Sequence, residues 1–93
     1  MARELIRTAA FIRAAKRYLK KNPQAAGDLQ STLELLTADA FDARLKTHKL
    51  KGDLAGVWAC SAGRDLRVLF EFVTRDDAEA ILLLTVGTHD EVY

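Results

Sequence analysis

Residues 66–73, Leu66-Arg67-Val68-Leu69-Phe70-Glu71-Phe72-Val73, decide the fold. Leu66, Val68, Phe70 and Phe72 alternate with Arg67, Leu69, Glu71 and Val73, the period-two pattern of a strand with one face on a core. Arg75-Asp76-Asp77 reads as a hairpin turn. Beyond it, Ala80 to Val86 is continuously apolar, as a central strand requires. On the other side Gly63-Arg64-Asp65 makes a turn, and Val57 to Ala62 reads as another strand. Three strands joined by tight turns predict an antiparallel meander. Gly87 is expected to break the last strand, leaving Thr88-His89-Asp90-Glu91-Val92-Tyr93 as a tail.

Upstream the period lengthens. Phe11, Ile12, Ala15, Tyr18 and Leu19 recur at helical spacing after Thr8, a hydroxyl suited to an N-cap. Arg13, Lys16, Arg17, Lys20 and Lys21 fill the remaining positions, with several bases in the last turns, where the helix dipole favours them. Asn22-Pro23 ends this helix and is expected to start a second one, with Asn22 as the cap and Pro23 in the first position. Ala26, Leu29, Leu33, Leu36 and Ala40 give the second stripe, with Leu35 beside it and Gly27 weakening the helix by up to ~1 kcal/mol. Two helices with almost no linker must fold back on each other. Lys46-Thr47-His48-Lys49-Leu50-Lys51-Gly52 is polar and basic and reads as a loop, while residues 3–7 are a candidate edge strand. The expected architecture is α+β: an N-terminal helical hairpin packed on one face of a small, mostly antiparallel sheet, with a short N-terminal edge strand.

A chain of 93 residues makes one domain, 1–93, and its 49% hydrophobic and 29% charged residues argue against disorder. The longest apolar run, Ala80 to Leu84, falls far short of the ~20 residues of a membrane span, and the first residues carry Arg3, Glu4 and Arg7 where a signal peptide would be apolar. The single cysteine, Cys60, fits a reducing, cytoplasmic setting, and with only two histidines no structural zinc site is expected. Net charge of +1 conceals an asymmetry. Residues 1–52 hold eleven Lys/Arg against five Asp/Glu (net +6), and residues 53–93 hold three against eight (net −5). Such a division points to a polyanion or an acidic partner on the basic region.

Few residues are equipped for chemistry. His48 stands in the basic loop and His89 just past the central strand, and imidazole is the side chain best placed for proton transfer near neutral pH. Arg67 interrupts an apolar strand and points to the face opposite Leu66, Val68 and Phe70. There its planar fork suits phosphate oxygens, or else a cross-strand acid such as Glu71. Lys49 and Lys51 could hold a phosphate backbone or serve solubility alone. No phosphate-binding loop, dinucleotide fingerprint or nucleophile elbow is present, and Cys60 reads as a small core residue. No cofactor is expected.

The order helix pair, Lys49-Leu50-Lys51-Gly52, Leu66-Arg67-Val68-Leu69-Phe70 and then Leu82 to Tyr93, ending Gly87-Thr88-His89-Asp90-Glu91-Val92-Tyr93, resembles the RelE/ParE toxin superfamily. Its YafQ-like branch of bacterial mRNA interferases is the nearest match, over nearly the whole chain. The resemblance implies a RelE-like, microbial ribonuclease-type fold. It further implies the toxin of a type II toxin–antitoxin pair, a metal-independent endoribonuclease that cuts mRNA on the ribosome by attack of the RNA's own 2′-OH. Position by position, His89 matches the catalytic histidine of the terminal motif and His48 a histidine before the L-x-G step. Asp65 matches a functional aspartate ahead of the sheet arginine, Arg67 the arginine that steadies the scissile phosphate, and Tyr93 the terminal aromatic that orients a base. Lys46, Lys49 and Lys51 would be RNA-backbone contacts. Implied partners are mRNA with the ribosome, a cognate antitoxin, and operator DNA for the toxin–antitoxin hetero-oligomer. The chain lacks the histidine near Ser61 and the lysines near Trp58 and Cys60 that members of these branches carry. Two alternatives share the fold: a non-enzymatic ParE-like gyrase poison, and an attenuated member that only binds antitoxin.

Overall fold

A computed structural model describes residues 2–93. Helix α1 (Ala9–Lys21) is capped by Thr8, whose Oγ1 accepts from the Phe11 backbone N–H at 3.0 Å. The same hydroxyl donates to the Leu83 carbonyl at 2.8 Å, which ties the start of α1 to the sheet. The buried stripe of α1 is centred one position away from the expected one. Phe11 and Ala14 are buried and Ala15, Tyr18 and Leu19 pack against them, while Ile12 is exposed. The five bases Arg13, Lys16, Arg17, Lys20 and Lys21 all face solvent.

The junction to the second helix differs from the sequence reading. Asn22 turns its side chain back onto the Tyr18 carbonyl (3.1 Å) and caps nothing ahead of it. Pro23–Ala25 forms a 3₁₀ turn, and α2 (Ala26–Ala38) starts from Ala25 with no side-chain cap. Asn22 thus closes one helix, its backbone N–H (2.9 Å) and its carboxamide both donating to the Tyr18 carbonyl. Leu29, Thr32 and Leu36 are the buried face of α2. Thr32 satisfies its hydroxyl on the Asp28 carbonyl at 2.8 Å.

Five strands form the sheet, in the order β1-β5-β4-β3-β2: the three of the meander, the expected N-terminal edge strand, and one more, in the segment read as a loop. The edge strand β1 (Glu4–Arg7) runs parallel to β5 (Ala78–Thr88), pairing Leu5 with Ile81 and Ile6 with Leu82. The expected loop at 46–52 contains β2 (His48–Lys49), paired antiparallel with Ala59 and Trp58 of β3 (Trp58–Ser61). β4 (Leu66–Arg75) joins β5 through a two-residue turn, Asp76-Asp77, whose residues both have positive φ (53° and 64°). Turns of that hand match the twist of a hairpin, and Asp tolerates the left-handed region. Gly87 does not end β5, which continues to Thr88 opposite Leu66. Within the tail, His89–Val92 forms a single helical turn, α3.

Leu36, Ala40, Leu45, Cys60, Val68, Phe70, Ile81 and Leu83 lie between the helices and the sheet with at most 1% of their surface exposed. Cys60 is the core residue its position suggested, and burial pushes its thiol up to about 12, so it stays a protonated small hydrophobe. The helices cover one sheet face. The other is open, and it carries the candidate chemistry.

Candidate active site

Directly opposed residues in neighbouring strands share a face. His48 is paired with Ala59, Ala59 with Leu69, Ser61 with Arg67, and Arg67 with Gly87. His48 and Arg67 therefore stand on the same face, the one turned away from the helices. Lys49 alternates to the other face, where its Nζ lies 5.5 Å from the centre of the Trp58 ring. Two neighbouring basic residues are thus sent to opposite sides of a two-residue strand.

The one-turn helix α3 brings the C-terminus over this open face. The Tyr93 hydroxyl lies 3.3 Å from His48 Nε2. The His89 ring meets the Tyr93 ring edge-on, with centroids 4.5 Å apart, and the His48 ring stands 6.4 Å away on a similar edge. The phenol is thus flanked by two imidazoles from distant stretches of chain. His48 Nδ1 lies 3.0 Å from the Lys46 carbonyl, which can only accept. In the neutral ring this places the proton on Nδ1 and leaves the lone pair of Nε2 facing the Tyr93 hydroxyl. Lys46 holds the left-handed conformation (φ 52°) that aims its carbonyl this way.

Burial pushes the Tyr93 hydroxyl above its ordinary range, and the nearby Arg67 guanidinium pulls the other way. The phenol therefore remains protonated at neutral pH and is a donor to His48. Arg67 is half-buried, donates to the carbonyl of Leu66 at 3.0 Å, and takes part in none of the ion pairs formed among the described residues. An ion pair with Glu71 is not made: Glu71 lies four residues further along the same strand, β4, and the residues opposite Arg67 are Ser61 and Gly87. A guanidinium without a carboxylate, close enough to the Tyr93 phenol to act on it and on the same face as His48, leaves one positive charge free for an anionic ligand.

Asp65 enters through its backbone: its carbonyl accepts the His89 N–H at 3.2 Å and so anchors the start of α3. Its carboxylate is exposed at the turn before β4. The side chains of Lys46 and Lys51 are exposed. Of the eight residues singled out from sequence, four come together (His48, Arg67, His89, Tyr93), two support them through carbonyls (Lys46, Asp65), Lys49 is turned to the other face, and Lys51 is exposed in the loop after β2. No group of His, Cys, Asp and Glu among the described residues is arranged to hold a metal ion. Sequence reading passed over the Thr88-x-x-Glu91 spacing, a capping-box pattern that starts α3.

A helical hairpin on one face of this sheet is the fold of the RelE/ParE toxins. The sequence model described as "Bacterial toxin of type II toxin-antitoxin system, YafQ" matches residues 3–93. The chain belongs to that family, and it is a type II toxin. Among solved structures it is similar to YafQ from E. coli strain BL21(DE3), at 17% identity over 98% of each chain with a TM-score of 0.77. It is also similar to a chain of the E. coli DinJ-YafQ toxin-antitoxin complex, at 18% identity over 100% of this chain and 99% of that one (TM-score 0.75). A chain of the YoeB-YefM complex from Staphylococcus aureus matches at 16% identity over 96% and 99% (TM-score 0.69). No curated protein sequence matches the chain. No helix among the described residues is long and apolar enough to cross a membrane.

Proposed function

We propose that this toxin is a metal-independent endoribonuclease that cleaves mRNA on the ribosome. The observation that carries the reading is the convergence of His48, Tyr93 and His89 beside the unpaired Arg67. Cleavage by the RNA's own 2′-OH needs a base for that hydroxyl, an acid for the leaving 5′-oxygen and positive charge for the pentacoordinate phosphorane. His48 Nε2, left unprotonated in the neutral ring by the Nδ1 bond to Lys46, exchanges the Tyr93 hydroxyl for the 2′-OH of the bound RNA and takes its proton. His89, carried at the start of α3, handles the proton of the leaving oxygen. Arg67 neutralises the phosphorane, and the Tyr93 ring stacks on or orients a base, a contact whose geometry any nucleobase offers. Lys46 and Lys51 support the RNA backbone from the neighbouring loop. Lys49, turned onto Trp58, would reach RNA only around the β2 edge. The 2′-OH requirement confines the reaction to RNA.

The cognate antitoxin is an acidic segment that wraps the toxin and masks Tyr93. Support comes from the net +6 of residues 1–52, from the exposed bases of α1, and from the toxin–antitoxin complexes of the two similar proteins above. Inducing the protein in cells and mapping mRNA ends tests the ribonuclease reading. New 5′ ends inside translated messages are the expected result. DNA breaks linked to gyrase, with intact messages, would instead establish the ParE-like poison.

A further inference from the structure

α3 carries two of the four converging groups, His89 at its start and Tyr93 at its end, yet it is one turn long. A single turn has no stability of its own, because it fixes several residues in return for about one backbone hydrogen bond. That bond is present, Tyr93 N–H to the His89 carbonyl at 3.1 Å. What else holds the turn is a reciprocal pair. Thr88 Oγ1 accepts from the Glu91 N–H at 3.3 Å, and the Glu91 carboxylate accepts from the Thr88 N–H at 2.9 Å. The carboxylate sits in a cleft of about 220 Å³ between α1 and the tail, lined also by Arg17 and Lys21.

Beneath the turn lies Gly87, and its φ is not what calls for glycine. A Cβ there would stand 3.1 Å from Glu91 Oε1, 3.2 Å from Val92 Cγ1 and 3.3 Å from Glu91 Cβ. The tail is folded back so closely on the end of β5 that even a methyl group would require Glu91 and Val92 to give way by a few tenths of an ångström. Absence of a Cβ at one position and two hydrogen bonds at the next together fix where His89 and Tyr93 can be.

We propose that Thr88 and Glu91, closing over Gly87, are positioning residues for the reaction, holding His89 and Tyr93 against His48 and Arg67. Neither touches the reacting atoms. They act on the geometry of the tail. The Thr88 N–H is the main reason the Glu91 carboxyl lies below the usual carboxylate range, followed by the Thr88 hydroxyl, with Arg17 and Lys21 adding to it. The carboxylate is therefore charged at neutral pH, where it can accept the Thr88 N–H.

This inference rests on the ribonuclease reading, and its test separates the two. Kinetics of RNA cleavage are measured for wild type, Thr88→Ala, Glu91→Ala, Gly87→Ala, and the conservative Thr88→Ser and Glu91→Gln. Because a displacement of about 1 Å can cost two orders of magnitude, the three disruptive variants are expected to lose kcat by roughly tenfold or more, with KM changed by less than about threefold. Thr88→Ser keeps the hydroxyl and Glu91→Gln keeps an acceptor oxygen, so both return to near wild-type kcat. A residue needed only for global stability would not give this split or this rescue. The second readout is independent of activity: proton NMR cross-peaks between the Tyr93 ring and the His48 and His89 rings, expected in wild type and Glu91→Gln and lost in Glu91→Ala. Equal kcat for wild type and Glu91→Ala, or cross-peaks retained in Glu91→Ala, would overturn the positioning role. A wild type that shows the cross-peaks pattern but cuts no RNA would overturn the ribonuclease reading and leave the tail latch standing.

Discussion

His89→Ala is expected to lower single-turnover cleavage of mRNA in a purified translation system by roughly 10²–10⁴-fold, the usual worth of one positioned acid–base group. The size follows from the site: the other groups remain, so binding, Arg67 and His48 still contribute a residual rate. Folding is expected to be unaffected. The His89 side chain is about half exposed, its ring meets the Tyr93 ring edge-on, and Asp90 Oδ1 lies 3.5 Å from it in solvent. Alanine also keeps the backbone N–H that bonds to the Asp65 carbonyl. Surface changes of this kind usually move stability by less than about 0.5 kcal/mol, so thermal unfolding serves as the control. Cleavage at wild-type rate by the variant would contradict the assignment of His89.

The largest expected effect on stability comes from Phe70→Ala. Phe70 is fully buried, pairs in register with Leu83 and Trp58, and meets the Phe72 ring edge-on with centroids 5.4 Å apart. It sits at the irregularity where the register between β4 and β5 shifts after Leu69, so Leu84 is left without a directly opposed partner. The surrounding core relaxes only partly around such a void, so the transfer and cavity costs are both felt. The loss should be about 3–5 kcal/mol. Against a total stability of roughly 5–15 kcal/mol for a domain of this size, that is a large share, and Tm should fall by about 15–30 °C. Equilibrium urea unfolding would read this directly. A change below 1 kcal/mol would mean that the layer between helices and sheet is not the core described above.

Much of the frame was legible because it depends on local periodicity. The alternation from Leu66 to Val73 and the apolar run from Ala80 to Val86 each announce a strand without reference to the rest of the chain. The helical hairpin follows from two stripes and a proline between them. What could not be read depends on pairing across the fold. β2 is two residues long and exists only because Ala59 and Trp58 are there to pair with it. Gly87 looks like a strand breaker in sequence, and its true reason, the space occupied by Glu91 and Val92, is invisible until the tail is seen to fold back. Asn22 satisfies the helix behind it instead of the one ahead, a choice its residue type leaves open.

The site divides in the same way. Residue types pointed to His48, His89 and Arg67, and family resemblance added Tyr93 and Asp65. Periodicity sent Arg67 to the open face correctly, since its strand alternates throughout. It said nothing of Lys49, whose two-residue strand has no readable period, and which the fold turns toward Trp58. Asp65 acts on α3 through a carbonyl, which every residue type possesses, so no side-chain reading could have assigned it that part.

The measurement that bears most directly on this account is the fate of the scissile phosphate. Purified toxin is given a ribosome-bound message, and the same message with a single 2′-deoxynucleotide on the 5′ side of the cut position. A proton taken from the 2′-OH by His48 and one given to the leaving oxygen by His89 predict an upstream fragment ending in a 2′,3′-cyclic phosphate. They predict no cut at the deoxy position. Cleavage at the deoxy position, or an upstream fragment ending in a free 3′-hydroxyl, would show that another nucleophile attacks, and the role given to the two imidazoles would be wrong.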